Sequence, residues 1–173
     1  QIFYKTNVEA LLRAELAKPS YKPATIALGT NTDPYQPIEK QQRNTRKILE
    51  VLLAHRHPVS IVTKGALIER DLDLLAEFAG YGLISVMLSL TTLDKTLKTK
   101  LEPRAASPEK RLNAIRELSR VGVPVGVMVA PLIPWVNDME LESILAEAAS
   151  AGAQRANYIL LRLPSEVKAL FAE

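Results

Sequence analysis

The sequence predicts an α/β fold, a partial barrel of about six strand–helix units with parallel strands, and two patterns carry that prediction. Short β-rich runs alternate with longer segments whose apolar residues recur every third or fourth position, as in βα units around a parallel sheet. The short runs are also apolar nearly throughout, which is how strands covered on both faces read.

The chain opens on a helical stripe, Val8/Leu11/Leu12/Leu16, where Thr6 and Glu9 have the spacing of a capping box. Strands are expected at Ala24–Gly29, Val59–Thr63, Leu83–Leu90, Val123–Ala130 and Tyr158–Leu163. Between them the stripes Ile68/Leu72/Leu75/Phe78 and Leu112/Ile115/Leu118 mark covering helices. Ser107 followed by Pro108 and Glu109 suits a helix start, and Gly122 and Gly152 stand where helices stop before a strand. A βα series that opens on a helix lacks its first strand. With Gln1 at the start and Glu173 inside a helical pattern, the expectation is one domain over residues 1–173, truncated at both ends.

The composition narrows the functional classes. The chain has 173 residues, 22 Lys+Arg against 19 Asp+Glu, 47% hydrophobic residues and no cysteine. Disulfides, thiolate nucleophiles and Cys-ligated metals are therefore excluded for these residues. The longest uncharged run, Val121 to Asn137, carries Pro124, Pro131 and Pro134, so it is no membrane-spanning helix. Neither a signal peptide nor a membrane partner is expected, and the compartment reads as cytoplasmic. A pI near 9.2 permits a nucleic-acid partner, although a solvated basic surface is the plainer explanation.

Ligands of parallel α/β folds bind where the strands end and the helices begin. The first strand leaves through Gly29-Thr30-Asn31-Thr32-Asp33-Pro34-Tyr35, the second through Thr63-Lys64-Gly65, the third through Ser89-Leu90-Thr91-Thr92. The fourth leaves through Pro131-Leu132-Ile133-Pro134-Trp135-Val136-Asn137-Asp138, and the fifth through Arg162-Leu163-Pro164. Singly each has a plain structural reading: an Asx turn at Asp33, a solvated lysine at Lys64, a carbonyl-bonded Ser89. Together they describe a mouth of hydroxyls, one cation and one carboxylate beside an apolar wall, suited to a small polar ligand with a flat apolar part. The stretch Lys95 to Arg111 reads as a solvated basic loop and helix start, within which Arg104 could reach a carboxylate. His55 and His57 read as caps at the opposite end of the strands, and no His, Cys or carboxylate grouping has metal-ligand spacing.

The strings IALGTNTDPYQPIE, PVSIVTKGALIERDLDLLAE, LEPRAASPEKRLNAI, GVPVGVMVAPLIPWVND and YILLRLPSEVKALF resemble the radical SAM superfamily, in its DNA-repair-photolyase-like subgroup similar to spore photoproduct lyase. The resemblance spans nearly the whole chain and implies a partial (β/α)6 TIM-like barrel. It further implies S-adenosylmethionine (SAM) and a [4Fe–4S] cluster as cofactors, an external electron donor, and cleavage of SAM to a 5′-deoxyadenosyl radical acting on an unknown substrate. In that family a CxxxCxxC loop after the first strand holds the cluster, and that loop is expected upstream of Gln1. Carried over by residue, Thr32 and Asp33 match a polar pair near the methionyl or ribose part of SAM. Lys64 matches a partner of the SAM carboxylate, Ser89 faces the ribose, Arg104 is a further carboxylate contact, and Ile133 packs against adenine. Here Trp135 replaces the glycine of the family's Pro-Gly-x-Asn-Asp turn. The missing cysteines and basic pI keep a second reading open, a non-catalytic SAM- or nucleic-acid-binding module.

Overall fold

The computed structural model describes residues 6–163 and Lys168. Five parallel strands form one open sheet in sequence order: β1 (Ile26–Leu28), β2 (Val59–Thr63), β3 (Ile84–Ser89), β4 (Val125–Leu132) and β5 (Ala156–Leu160). The α-helices are α1 (Val8–Leu16), α2 (Glu39–Gln42), α3 (Asn44–Ala54), α4 (Leu72–Gly80), α5 (Lys95–Leu101), α6 (Pro108–Arg120) and α7 (Leu141–Ser150). Short 3₁₀ turns at Ala66–Asp71 and Asp138–Glu140 lead into α4 and α7. This is the expected α/β class with parallel strands, an open stretch of a barrel.

The two faces of the sheet differ in chemistry. Val59, Ile61, Val86, Leu88, Val125, Val127 and Val129 are buried and join one core with Leu49, Leu52, Leu75, Phe78, Ile115, Leu118 and Ile144 of the helices. Each such side chain contributes roughly 1.5–3 kcal/mol by burial, so this face holds the fold. On the alternate positions Ser60 pairs in register with Ser85, and Val62 with Met87. These four are only half-buried. Two serines, a valine and a methionine thus line this side of the sheet, and the same alternation puts Lys64 and Ser89 on it at the strand ends.

β2 has the expected bounds, framed by Pro58 and Gly65. β1 is shorter than Ala24–Gly29, because its pairing with β2 runs only from Ile26 to Leu28. β4 starts at Val125 rather than Val123 and runs on to Leu132, and β5 sits at Ala156–Leu160 rather than Tyr158–Leu163. Their pairing sets these limits: Val127 is opposite Ala156, and after an irregularity Leu132 is opposite Leu160. Pro164 of the expected fifth exit lies outside the described residues, as do Gln1 to Lys5 and Glu173.

The helix ends divide in the same way. Ser107 caps α6 by accepting the Lys110 N–H, with Pro108 in the first turn, and Gly122 and Gly152 take φ +81° and +103° just past α6 and α7. The Thr6–Glu9 capping box does not form: Asn7 occupies the cap without a side-chain bond, and Glu9 pairs with Arg13 one turn on. Residues 95–101 are not loop but helix α5, nucleated by Asp94, whose carboxylate accepts the Thr96 and Leu97 N–H groups. At the opposite end of the strands His55 bonds the Val51 carbonyl in the last turn of α3. His57 instead joins the Tyr21 hydroxyl, at 2.7 Å, to the Pro58 carbonyl.

Candidate functional site

At the end of β1 the chain must turn sharply beside β2, and Gly29 makes that turn at φ +100°. A Cβ there would stand 1.9 Å from the Val62 carbonyl oxygen. The turn delivers Asp33, whose Oδ1 accepts the Tyr35 N–H at 2.8 Å and the Thr63 hydroxyl at 2.6 Å. Its Oδ2 accepts the Lys64 N–H at 2.8 Å. Asp33 therefore works as an Asx turn that also rivets the loop to the end of β2. Thr32 beside it is exposed.

A second network fixes this loop from beneath. Asp71, wholly buried, takes Arg70 in a bidentate pair at 2.8 and 2.7 Å and Arg46 at 3.1 Å. Arg70 also donates to the Glu39 carbonyl, and Arg46 pairs with Asp73 at 2.6 Å. Thr45 bonds the Pro34 carbonyl with its hydroxyl and the Glu39 carboxylate with its N–H. Tyr35 is buried against this group, and burial, then the neighbouring Asp71 charge, push its phenol well above the ordinary range. Arg46 holds the Asp73 carboxyl down to about 2.

Lys64 follows β2 and is not a free lysine. Its ammonium pairs with Glu102 Oε1, which also accepts the Thr91 hydroxyl at 2.9 Å. Glu102 Oε2 accepts Arg111 at 2.6 Å. Arg111 is 1% exposed, donating as well to the Ser89 and Ala106 carbonyls, both at 2.9 Å. Burial pushes the Glu102 carboxyl up, and Lys64 and Arg111 outweigh it, leaving the group below its usual range. Lys64 remains 35% exposed. An ammonium has three donors, and with Glu102 as its paired acceptor this one keeps hydrogens for a ligand.

The fourth exit closes the arrangement through Asn137, which is wholly buried. Its carbonyl accepts the Ile133 N–H at 2.6 Å, and its amide donates to Thr91 O and Pro131 O at 2.8 and 3.0 Å. Glu140 adds bonds from the Thr92 hydroxyl and the Leu93 N–H. Trp135 takes φ +61°, the backbone a glycine would adopt freely, with its indole 92% exposed. The tight turn survives the substitution because the side chain leaves it for solvent.

The structure thus brings Asp33 and Lys64 into one hydrogen-bonded chain across the exits of β1 and β2, which Ser89 joins at the β3 exit through its backbone carbonyl, its side chain being 4% exposed, and Asn137 links Ile133 to it. Ile133 itself is 4% exposed, so its side chain is mostly covered. Arg104 is not drawn in: it is exposed on the 102–107 loop and pairs with no described residue. Glu102 and Arg111 are the residues that the sequence reading took for solvated surface. Arg111 had a signal, since it shares the α6 face of Ile115 and Leu118 at spacings of four and seven, and a cation on an apolar stripe requires a buried carboxylate partner.

A cleft of about 310 Å³ lies on the β1 side, lined by Thr30, Asn31, Thr32, Asp33 and the start of α3. Among the described residues no group of three or more His, Cys, Asp or Glu could hold a metal ion, and the sequence has no cysteine. The residues present do not fit an iron–sulfur cluster. They do fit a carboxylate-bearing ligand at Lys64.

A parallel α/β sheet with polar strand exits defines a large class of ligand-binding and catalytic domains. Comparison with known proteins narrows it: the Radical SAM superfamily model matches residues 3–148, and the chain belongs to that superfamily. It is 40% identical over 173 residues to the uncharacterized protein Rv2578c of Mycobacterium tuberculosis, covering 99% of this chain and 51% of that one. It is 34% identical over 126 residues to the uncharacterized protein MJ0683 of Methanocaldococcus jannaschii, covering 73% and 47%. The chain therefore spans about half the length of these relatives. Among solved structures, a spore photoproduct lyase variant with bound AdoMet and dinucleoside spore photoproduct superposes with TM-score 0.70 at 19% identity, covering 94% of this chain and 48% of that one. Streptococcus suis SuiB bound to S-adenosylmethionine gives 0.63 at 17%, covering 93% and 35%. At such identities these last two establish the fold. Among the described residues no helix is long and apolar enough to cross a membrane.

Proposed function

We propose that this chain is the SAM-binding part of a radical SAM enzyme whose cluster is held by cysteines outside it. The observation that carries the reading is Lys64: a half-exposed ammonium at a strand end, braced on one side and open on the other. Its open hydrogens suit the SAM carboxylate. Thr32 and the loop held by Asp33 border the methionyl or ribose part, Ser89 the ribose and Ile133 the adenine, with Arg104 free to add a second carboxylate contact. When bound, SAM supplies radical chemistry under one-electron reduction. This chain's share is to bind, orient and shield it. Substrate and electron donor are not specified by these residues. The absence of cysteine favours one alternative, a non-catalytic module that keeps the SAM-shaped mouth.

The test is 5′-deoxyadenosine formation by the protein that carries this chain with its cysteines, reconstituted anaerobically with iron and sulfide and given SAM and dithionite. Turnover that Lys64→Ala lowers at least tenfold supports the reading. A loaded cluster and bound SAM without turnover favour the module, and turnover indifferent to Lys64→Ala removes Lys64 from the site.

A further inference from the structure

We propose that Arg155 receives an oxyanion of the substrate, a phosphate or a carboxylate, on the face of the sheet opposite the core. That the anion belongs to a substrate rests on the radical SAM reading above, whereas the binding of an anion by Arg155 does not.

Gly126 carries the argument. Its neighbours Val125 and Val127 are buried in the core, so Gly126 faces the other side, in register with Met87 of β3. Its φ is not positive, so the backbone does not require glycine there, and the use of the residue is the room it leaves. A Cβ would stand 2.6 Å from Arg155 Cγ, 2.7 Å from Met87 Sδ and 2.8 Å from the Arg155 carbonyl oxygen. The stem of Arg155 therefore lies across β4 in the space a side chain would fill, against the Met87 sulfur, while the residue as a whole stays exposed.

The guanidinium at the end of that stem has no hydrogen bond or ion pair with any described residue. Its planar fork of five N–H donors matches the oxygens of a phosphate or carboxylate. Ser60 and Ser85, paired on the same face, are half-buried, and their hydroxyls are bonded to no described residue. The five strands contain no Asp or Glu, so nothing built into the sheet answers the charge of Arg155. By register Gly126 lies two residues, about 7 Å, below the level of Lys64 and two strands, about 10 Å, across from it. Val62 and Met87 lie level with Gly126, and Met128 level with Lys64. A substrate held by its anion at Arg155 thus runs an apolar body over Met87 and Met128 toward the mouth at Lys64. The class it defines is a small molecule with an oxyanion at one end and an apolar middle.

The protein that carries this chain, titrated with inorganic phosphate and separately with acetate at constant ionic strength in chloride, tests this without turnover. The amide resonances of Ser85 and Gly126 are the readout. Saturable shifts with at least one anion are expected, and the one bound more tightly names the group the substrate carries. Arg155→Gln is expected to weaken that anion at least fivefold and Lys64→Ala less than twofold. Should Arg155→Gln lose its fold by circular dichroism, Arg155→Lys, which keeps the charge and loses the fork, is expected to weaken it at least threefold. No saturable shift with either anion, or binding indifferent to the folded Arg155 variant, overturns the proposal. So does binding that Lys64→Ala abolishes and Arg155→Gln spares. Arg155-dependent binding in a protein that forms no 5′-deoxyadenosine overturns the enzyme reading and upholds the anion site, and the reverse pair of results overturns this inference alone.

Discussion

Two ionic networks lie within one sheet's loops, and they are built differently. Beneath the β1 exit, Arg46 and Arg70 meet Asp71, Asp73 and Glu39, with Asp71 wholly buried and contacted by both guanidiniums. At the β2 and β3 exits, Arg111 is fully enclosed, but the second cation is a lysine, 35% exposed and, among the described residues, braced by Glu102 alone. Arginine's planar fork suits the closed network because it saturates a carboxylate in fixed geometry, whereas an ammonium on a four-carbon stem keeps spare donors. The difference separates a network that holds a loop from one that can receive a ligand.

That contrast breaks most visibly at Asp71. Asp71→Ala leaves two guanidiniums facing each other without their shared partner, and an unfolding free-energy loss of about 3 kcal/mol is expected in urea. Lys64→Ala should cost less than 1 kcal/mol in the same assay, since its ammonium is partly solvated. Equal losses would erase the distinction. Next in size is Gly29→Ala, which forces a Cβ onto the Val62 carbonyl at a positive φ. About 2 kcal/mol of destabilisation is expected, together with faster amide exchange in residues 30–38, read by hydrogen–deuterium exchange.

Trp135→Gly should act in the other direction. It relieves a left-handed non-glycine backbone and removes no packing, so a gain of about 0.5–1 kcal/mol is expected after the added chain entropy of glycine. Calorimetry would measure it. The smallest effect belongs to Asp73, whose carboxyl Arg46 lowers to about 2. Because the folded value lies below the unfolded one, its contribution is present above about pH 4 and fades as pH falls toward 2. Asp73→Asn should flatten that part of the stability curve by well under 1 kcal/mol, as expected for a largely exposed pair.

How far the sequence foretold this depends on whether a feature is local. β2 was legible to the residue because Val59–Thr63 is bounded by Pro58 and Gly65. β4 and β5 slid by two or three residues, since their limits come from pairing with each other and not from their own composition. Within the site, Asp33 and Lys64 were legible as strand exits. Glu102 was not, because nothing near it in the chain announces that Lys64 and Arg111, contributed by other elements, will converge on it. Its burial is a tertiary fact. The αL backbone at Trp135 was legible only through the turn pattern in which a glycine is usual.

The central claim is that Lys64, held open by Glu102, reads a ligand carboxylate, and a thermodynamic cycle tests it most directly. Titrating the wild-type chain and Lys64→Ala with SAM and with decarboxylated SAM separates the lysine from the remainder of the mouth. Lys64→Ala is expected to weaken SAM at least tenfold and to leave decarboxylated SAM within twofold. Equal weakening of both ligands, or of neither, would contradict the account.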